Sequence, residues 1–429
     1  MLRGRTSAVA ALTLALAALT ASGCGGSSSK GVATLNWYVF NEPSGSFATA
    51  AKKCSQQSGG KYKIALQPLP TDADQQRENI VRRLAAKDSS VDIVGMDVNW
   101  TAEFGEAGWI EPWSARNAQK VTQGDLPGPL QTAKYKGTLY AAPYTSNTQI
   151  LFYRKDLVKT PPKTWDEMIT QAEKIGPAKG KIQVQGARYE GLTVWFNSLV
   201  ASAGGQIVTN NGNTVALGPP AVKAAAVIKR LASSPVADPA LENNKEDQAR
   251  LGFESGSSAF EVNYTFAWAS ANDLVNKAPD AAAKKKAEQF RSNIGFARWP
   301  GVDANRPSRV TVGGINLGVG AYGKHKDLAF AAATCLRQPA NQVPISVKGG
   351  LLPTTASVYD NPEIKKAFPF TGILKAEIAD GVARPVTPFY SDISQAIQKS
   401  LHPERDIDPQ STIKDMKDKL DKAKKGELF

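Results

Sequence analysis

A carboxylate, Asp97, directly follows the short apolar run at 93–96, and Trp100 stands three residues later. In open α/β sheets, ligands bind at the carboxyl ends of the strands, where an acid can accept hydrogen bonds from a polar molecule. An acid beside a tryptophan is therefore typical of a groove that binds a polar small molecule. The alternative is that Asp97 only caps the helix that its position predicts next, and these residues alone leave both interpretations open.

Other polar side chains also stand next to aromatic residues at predicted loop positions. The pairs are Asn41 and Glu42 near Trp37 and Tyr38, Asp97 near Trp100, and Asn263 beside Tyr264. Sugars need this mixture, because carboxylates and amides bind vicinal hydroxyls while flat rings pack on the apolar sugar face. The alternative for each ring is a place in the core, which we predict for Trp37, Trp195 and Phe196.

Paired carboxylates could also hydrolyse a glycosidic bond, with one acid and one base or nucleophile on either side of it. The candidates are Asp97 with Glu42 or with Glu246. The sequence contains neither a Gly-x-Ser-x-Gly nucleophile elbow nor a His-Glu-x-x-His motif. We therefore expect a binding protein rather than an enzyme and keep the glycosidase as an alternative.

Nothing in the sequence indicates a cofactor or a metal ion. The run at 318–324 spells Gly-x-x-x-x-Gly-Lys, but His325 replaces the Ser or Thr that a phosphate-binding loop requires. The chain has two histidines, His325 and His402, and neither belongs to a close pair of zinc ligands. We expect no catalytic residue, cofactor or metal site.

The amino terminus has the features of a lipoprotein leader. Arg3 and Arg5 precede an apolar run at 8–21, and small residues then lead to Cys24 and a Gly/Ser stretch. This run is too short for a permanent membrane span. The pattern predicts a signal peptide at 1–23, lipidation of Cys24 and a flexible tether at 24–33. We therefore expect the protein to be anchored by lipid to the outer face of the cell membrane. The alternative is an ordinary signal peptide.

Two cysteines remain after lipidation, Cys54 and Cys335. Because thiols pair in oxidising compartments, we predict a disulfide between them, with two buried free thiols as the alternative. The net charge of the precursor is +13, but the basic residues are spread along the chain. A nucleic-acid partner, which would concentrate them on one face, is not expected.

The order of predicted elements indicates an α/β fold. The chain has 429 residues, more than a single hydrophobic core typically holds, so we expect two lobes. The polar stretch at 144–149 between apolar runs fits a crossover between them. The first part alternates strands at 34–40, 62–69 and 93–96 with helices at 47–54 and 72–86, the rhythm of a parallel sheet.

Several runs, in order along the chain, resemble the carbohydrate-type extracellular solute-binding proteins of ABC importers (family 1). Within that family the chain resembles the actinobacterial LpqY-type trehalose-binding lipoproteins. The resemblance covers essentially the whole mature chain. The runs that carry it are 98–104 (VNWTAEF), 126–130 (LPGPL), 147–149 (NTQ), 194–197 (VWFN), 261–263 (EVN), 313–317 (GGINL) and 383–385 (ARP).

The resemblance implies an α/β, two-lobe periplasmic-binding-protein-like fold of type II, with the ligand in the cleft between the lobes. The N-terminal lobe would comprise 34–146 and 310–347, and the C-terminal lobe 147–309 and 348–429. The chain would cross the hinge three times, near 146–149, 306–310 and 347–352.

It also implies a ligand and a set of cleft residues. The ligand would be trehalose, delivered to an ABC permease by a monomeric receptor; another di- or oligosaccharide or a glycerophosphodiester is the alternative. The positions that match the family's cleft residues are Asn41, Glu42, Gln76, Asp97, Asn147, Glu246, Tyr264, Gly350, Leu351 and Arg384. Asp97 and Glu246 would accept hydroxyls from opposite lobes, and Arg384 would donate. Tyr264 would stack, where we expect tryptophan in the closest relatives.

Overall fold

The computed structural model describes residues 31–70, 73–210 and 212–425. The signal peptide, Cys24 and most of the tether lie outside the described residues. Within the described part, no helix has the length and apolar character that crossing a membrane requires. The same residues contain no group of three or more histidine, cysteine or acidic side chains that could hold a metal ion.

The strands of the described residues fall into two larger sheets and two short hairpins. They are β1 Ala33–Phe40, β2 Tyr62–Leu69, β3 Ile93–Asp97, β4 Lys134–Tyr135, β5 Thr138–Leu139, β6 Ala141–Asn147, β7 Gln149–Arg154, β8 Lys181–Gln183, β9 Val208–Thr209, β10 Thr214–Val215, β11 Ser258–Tyr264, β12 Ile294–Ala297, β13 Gly313–Val319 and β14 Leu352–Pro353.

The helices cover both sheets. They are α1 Ser46–Gln57, α2 Ala73–Ala85, α3 Thr101–Glu106, α4 Ala115–Val121, α5 Pro127–Thr132, α6 Trp165–Ile175, α7 Glu190–Ser202, α8 Pro219–Ala232, α9 Glu246–Glu254, α10 Phe266–Asn276, α11 Ala281–Asn293, α12 Lys326–Leu336, α13 Pro339–Gly349, α14 Pro362–Ala367, α15 Thr371–Asp380, α16 Tyr390–Leu401 and α17 Pro409–Ala423.

The first sheet has the strand order β14-β6-β13-β3-β1-β2. The strands β1, β2 and β3 run parallel, as the sequence predicts, and β13 is antiparallel to both β3 and β6. Trp37 of β1 is fully buried and packs against Phe47 of α1 and Tyr144 of β6. This sheet and the helices packed on it form the first lobe.

The second sheet has the order β12-β7-β11-β8 and forms the second lobe with its helices. Its core includes α7, which is apolar nearly all round and buried along most of its length. Trp165, Trp195 and Trp299 meet there, with ring centroids 5.2 and 5.6 Å apart. Trp37, Trp195 and Phe196 are all fully buried, which confirms that they are core residues.

The chain passes from the first sheet to the second between Asn147 and Gln149, and returns between Ala297 and Gly313. One predicted boundary is wrong in detail, because Leu352 and Pro353 pair with β6 although 348–429 was assigned to the second lobe. Proline lacks a backbone donor and is tolerated in this edge strand. The remaining boundaries and the three hinge crossings stay predictions.

A disulfide joins Cys54 of α1 to Cys335 of α12, with 5.8 Å between the Cα atoms. The predicted pairing is confirmed, and the alternative of two free thiols is wrong. Both helices pack on the first lobe, whereas the 281 residues of sequence between the cysteines include the whole second sheet. The bond therefore closes a loop that contains the second sheet.

The second lobe buries a carboxyl group, and this predicts how stability depends on pH. Burial raises the pKa of Glu261 to about 8, although Asn263 donates a hydrogen bond to it at 2.6 Å. Since the folded state holds this proton more tightly, folding is favoured most at low pH and loses stability as pH rises from about 4.5 to 8. Glu261→Gln should change the free energy of unfolding little at pH 5 and raise it by roughly 4–5 kcal/mol at pH 9.

Urea denaturation of the wild type and the variant at both pH values measures this difference. Glu288→Gln, which changes an exposed acid of α11, is the matched control and should show no pH-dependent gain. An equal stability of Glu261→Gln and wild type at pH 9 would contradict the raised pKa.

Candidate functional site

A cavity of about 610 Å³ lies between the two lobes. The first lobe contributes the end of β3, the turn after it and the start of β13, and the second lobe contributes the first turns of α7 and α9. The aromatic side chains that line it are Phe40, Trp100, Tyr189, Tyr264, Phe266 and Tyr390, and the charged ones are Asp74, Arg77, Asp97, Glu103, Glu190, Lys245, Glu246 and Arg384.

Arg384 occupies the contact between the lobes and is only 6% exposed. Its Nη2 donates to Asp97 of the first lobe at 2.5 Å, and its Nη1 donates to Glu190 of the second lobe at 2.8 Å. Burial by itself lowers the pKa of Arg384, but Asp97, Tyr390 and Glu190 outweigh it and the pKa rises. Arg384 is therefore a permanent cation shared by two carboxylates.

Asp97 caps the turn that follows it and also lines the cavity, while contact of its carboxylate with a ligand stays a prediction. Its Oδ1 accepts a hydrogen bond from the Asn99 amide at 3.2 Å and so caps the 3₁₀ turn Val98–Trp100. The same oxygen accepts the bond from Arg384, while the side chain lines the cavity. Both bonds fall on Oδ1, so Oδ2 is the oxygen left for a ligand. Trp100 is 4% exposed and stacks on Phe104, as expected for a packing residue behind Asp97.

Glu190, the first residue of α7, holds the second-lobe side of this arrangement. Its Oε1 accepts the bond from Arg384 and a short bond from the Tyr390 hydroxyl, and its Oε2 accepts from Ser394 at 2.6 Å. Burial, followed by Glu190, raises the pKa of Tyr390 and keeps its hydroxyl protonated. Tyr390 and Ser394 of α16 therefore hold the Glu190 carboxylate in the position where it binds Arg384.

Glu246 begins α9, also lines the cavity and lies near the Tyr189 hydroxyl. Burial and then Glu246 raise the pKa of Tyr189. The Lys245 amino group sits 5.0 Å from the centre of the Tyr189 ring, in the range of a cation–π contact. Tyr264 is half-buried at the end of β11, and burial raises its pKa too. Both tyrosines are thus neutral and offer an aromatic ring together with a hydroxyl group that can form hydrogen bonds.

Asn147 lies where β6 leaves the first sheet, and its neighbours are glycines. The Asn147 Oδ1 is buried without a hydrogen-bond partner in the described protein, as is the Thr145 hydroxyl. A Cβ on Gly313 would come within 2.1 Å of the Asn147 Oδ1, and Gly314 has φ +134°. The glycines of this strand therefore permit a close approach of the backbone to Asn147, which lines the cavity together with Thr145.

Gly313→Ala should weaken ligand binding about tenfold, because the added methyl group must displace the Asn147 amide from the wall, at a cost comparable to one lost hydrogen bond. Titration calorimetry with the ligand proposed below measures the effect. Gly372→Ala is the control, since a Cβ there meets nothing within 4 Å. Equal affinities of both variants and wild type would remove Asn147 from the site.

Of the ten predicted cleft residues, the structure brings seven to the cavity wall. They are Asp97, Asn147, Glu246, Tyr264, Gly350, Leu351 and Arg384. Gly350 ends α13 in a left-handed conformation, and its carbonyl accepts from Thr265 of the second lobe at 2.9 Å.

The other three are not among the described lining residues. Glu42 is buried, and its two oxygens accept from the Ser44 and Ser46 amides at 2.7 and 2.8 Å, so it fixes the start of α1. Glu42 nonetheless lies behind Gly349, which does line the cavity. Asn41 is exposed in the loop after β1, and Gln76 is 8% exposed in α2.

Sequence reasoning missed Glu190, Tyr189 and Tyr390, and with them Arg77 and Glu103. Arg77 of α2 binds Glu103 of α3 with both Nε and Nη2, at 2.8 and 2.5 Å. An acid in the first turn of a helix was the only available signal for Glu190, and it also fits an ordinary interaction with the helix dipole.

Comparison with known proteins then assigns the family. The model for the bacterial extracellular solute-binding protein family matches residues 45–343. The chain belongs to that family. This solute-binding protein is also 30% identical to a probable ABC transporter-binding protein of Deinococcus radiodurans, over 79% of this chain and 81% of the relative.

Solved structures agree with the α/β, two-lobe periplasmic-binding-protein fold. Maltose-bound T. maritima MalE3 superposes with a TM-score of 0.76 and 26% identity, covering 91% of this solute-binding protein and 99% of that chain. The sugar-binding protein MalE from Xanthomonas citri gives a TM-score of 0.77 at 20% identity, covering 92% and 98% of the two chains. At that identity the second likeness supports the fold alone.

Proposed function

We propose that this solute-binding protein is the lipid-anchored receptor of an ABC sugar importer, and that it binds trehalose between its lobes. The observation that carries the proposal is the cavity wall itself. Carboxylates from both lobes, Asp97 and Glu246, face the same space as the rings of Tyr189 and Tyr264. Carboxylates accept hydroxyl bonds and rings cover the apolar faces of a pyranose, so a neutral disaccharide uses both.

The charges of the wall argue against the anionic alternative, a glycerophosphodiester. Among the described lining residues the carboxylates outnumber the cations, five (Asp74, Asp97, Glu103, Glu190 and Glu246) to three (Arg77, Lys245 and Arg384). Helix amino termini can bind phosphate, but Glu190 and Glu246 already occupy the first positions of α7 and α9. A phosphate would meet these acids before it reached a helix dipole.

The relatives support a sugar receptor over an enzyme. One relative is named as an ABC transporter-binding protein, and T. maritima MalE3 was solved with maltose. By analogy, an ABC permease would receive the ligand, and a monomer would suffice to bind it. In the proposed site Asp97 Oδ2 and Glu246 accept from opposite ends of the sugar, Asn147 adds an acceptor, Arg384 donates and Tyr264 stacks.

Titration calorimetry of the protein against trehalose, maltose, maltotriose and glycerophosphocholine tests the ligand. We expect micromolar affinity for trehalose, about −8 kcal/mol, and weaker binding of the others. Binding heat with maltose but not with trehalose would show that the protein is a sugar receptor with a different ligand. The appearance of glucose after prolonged incubation with trehalose would instead support the glycosidase.

Lipidation of Cys24 is a separate part of the proposal and needs its own test, because Cys24 lies outside the described residues. Cys24→Ala should move the protein from the membrane fraction to the culture medium or the extracytoplasmic soluble fraction. The sugar affinity of the variant should not change. A variant that stays with the membrane would show that another segment holds it there.

A further inference from the structure

We propose that Glu190 is a positioning residue that keeps Arg384 paired when the lobes separate, so that Glu190 and Asp97 act on lobe closure in opposite directions. The inference rests on the interlobe closure of the proposed function. The proposed role of Glu190 does not require contact with a ligand, because it concerns the protein without sugar. It follows from how one buried arginine is shared between two lobes.

Arg384 belongs to the second lobe. The loop that carries it is held by Asn197 of α7, which donates to the Ala383 carbonyl at 3.4 Å, and the Arg384 guanidinium lies 5.7 Å from the centre of the Tyr390 ring of α16. Glu190 also belongs to α7, so the bond between Arg384 and Glu190 lies within one lobe. Movement of the lobes as rigid bodies leaves this bond unbroken.

Asp97 belongs to the first lobe, at the end of β3. Its 2.5 Å bond with Arg384 is therefore the one that crosses the gap and breaks when the lobes separate. Asp97 is 27% exposed in its side chain and can be rehydrated, whereas Arg384 is 5% exposed. A charge as buried as Arg384 is costly without a partner, since breaking a buried ion pair leaves an uncompensated ion.

The two carboxylates thus have different effects on the same equilibrium. Asp97 attracts Arg384 across the gap and favours the closed arrangement. Glu190 supplies a partner that remains after opening and so lowers the cost of opening. Tyr390 and Ser394 hold Glu190 in place for this role with bonds to its two oxygens. Without Glu190, Arg384 depends on Asp97 alone, and the lobes should stay together.

Small-angle X-ray scattering of the sugar-free protein tests the inference with two isosteric variants. Asp97→Asn should increase the radius of gyration relative to wild type, and Glu190→Gln should decrease it. Glu254→Gln is the matched control. Glu254 likewise binds an arginine (Arg250, 2.7 Å) and a serine (Ser270, 2.8 Å), but the other partners of Arg250, Asp247 and Ser270, belong to the same lobe. It should leave the scattering unchanged.

Glu190→Asp, which keeps the charge but withdraws it from Arg384, is the second variant and should shift the scattering in the direction of Glu190→Gln by a smaller amount. Circular dichroism confirms that each variant is folded. An expansion of either Glu190 variant, or a shift of Asp97→Asn and Glu190→Gln in the same direction, would overturn the inference. Because no sugar is present, this outcome does not depend on whether trehalose is the ligand.

Discussion

Replacing Arg384 by methionine should weaken sugar binding by about a hundredfold or more, the largest effect that we expect from one cavity side chain. Methionine keeps much of the length of the arginine but removes the cation between Asp97 and Glu190. Two carboxylates then face one space without a counter-charge, and truncating one partner of a buried charged pair costs about 2–5 kcal/mol. The donor to the sugar is lost as well. Titration calorimetry with trehalose measures the change.

Arg77→Met is the matched control for this prediction. Arg77 also lines the cavity and also binds a carboxylate, but its side chain is 27% exposed and both partners lie in the first lobe. Because exposed pairs contribute little, the loss of affinity should be less than tenfold. If Arg384→Met bound trehalose as tightly as wild type, the ligand would have to bind away from this cavity.

The architecture of the first lobe could be predicted because its signals are local. The alternating strands and the helices between them carry their own periodicity, so the bounds of β1, β2, β3 and α2 could be predicted to within one residue and those of α1 to within three. The disulfide followed from cysteine parity and compartment. By contrast, α13 was not predicted, because Pro344 lies inside it and proline usually ends a helical pattern.

The candidate site could be predicted where a residue has one role that its own neighbours reveal. Asp97 lies at the carboxyl end of a buried strand, a position that fitted both a ligand groove and a helix cap. Glu190 could not be found in the same way, because its partners Arg384 and Ser394 are about 200 residues away in sequence. Glu42 shows the converse. Neighbouring aromatic residues and the resemblance both predicted Glu42 as a cleft residue, whereas its carboxylate accepts from two nearby serine amides.

The resemblance therefore gave residues that meet in one cavity, but not the partners of their side chains. Residues on the wall were found because chain segments that end at the same edge of a sheet meet there. The pairing of Arg384 with two carboxylates depends on how the lobes approach one another, and no short run encodes that approach. For this reason the shared arginine, rather than any single predicted acceptor, organises the proposed mechanism.

Removing the disulfide should lower the free energy of unfolding by about 3–5 kcal/mol, because the bond closes a loop of 281 residues. The crosslink restricts the unfolded chain more as the loop grows, and this loop contains the whole second sheet. Cys54→Ala with Cys335→Ala should lower the melting temperature by roughly 5 °C. Differential scanning calorimetry measures it.

Wild-type protein treated with a thiol reductant is the control for the disulfide and should melt with the double variant. Trehalose affinity should stay at the wild-type value below the transition, because neither cysteine lines the cavity. The stability of the crosslink and the chemistry of the site are thus separable by experiment. Unchanged melting of the reduced protein would contradict the loop argument, since both helices would then be held against the first lobe by packing alone.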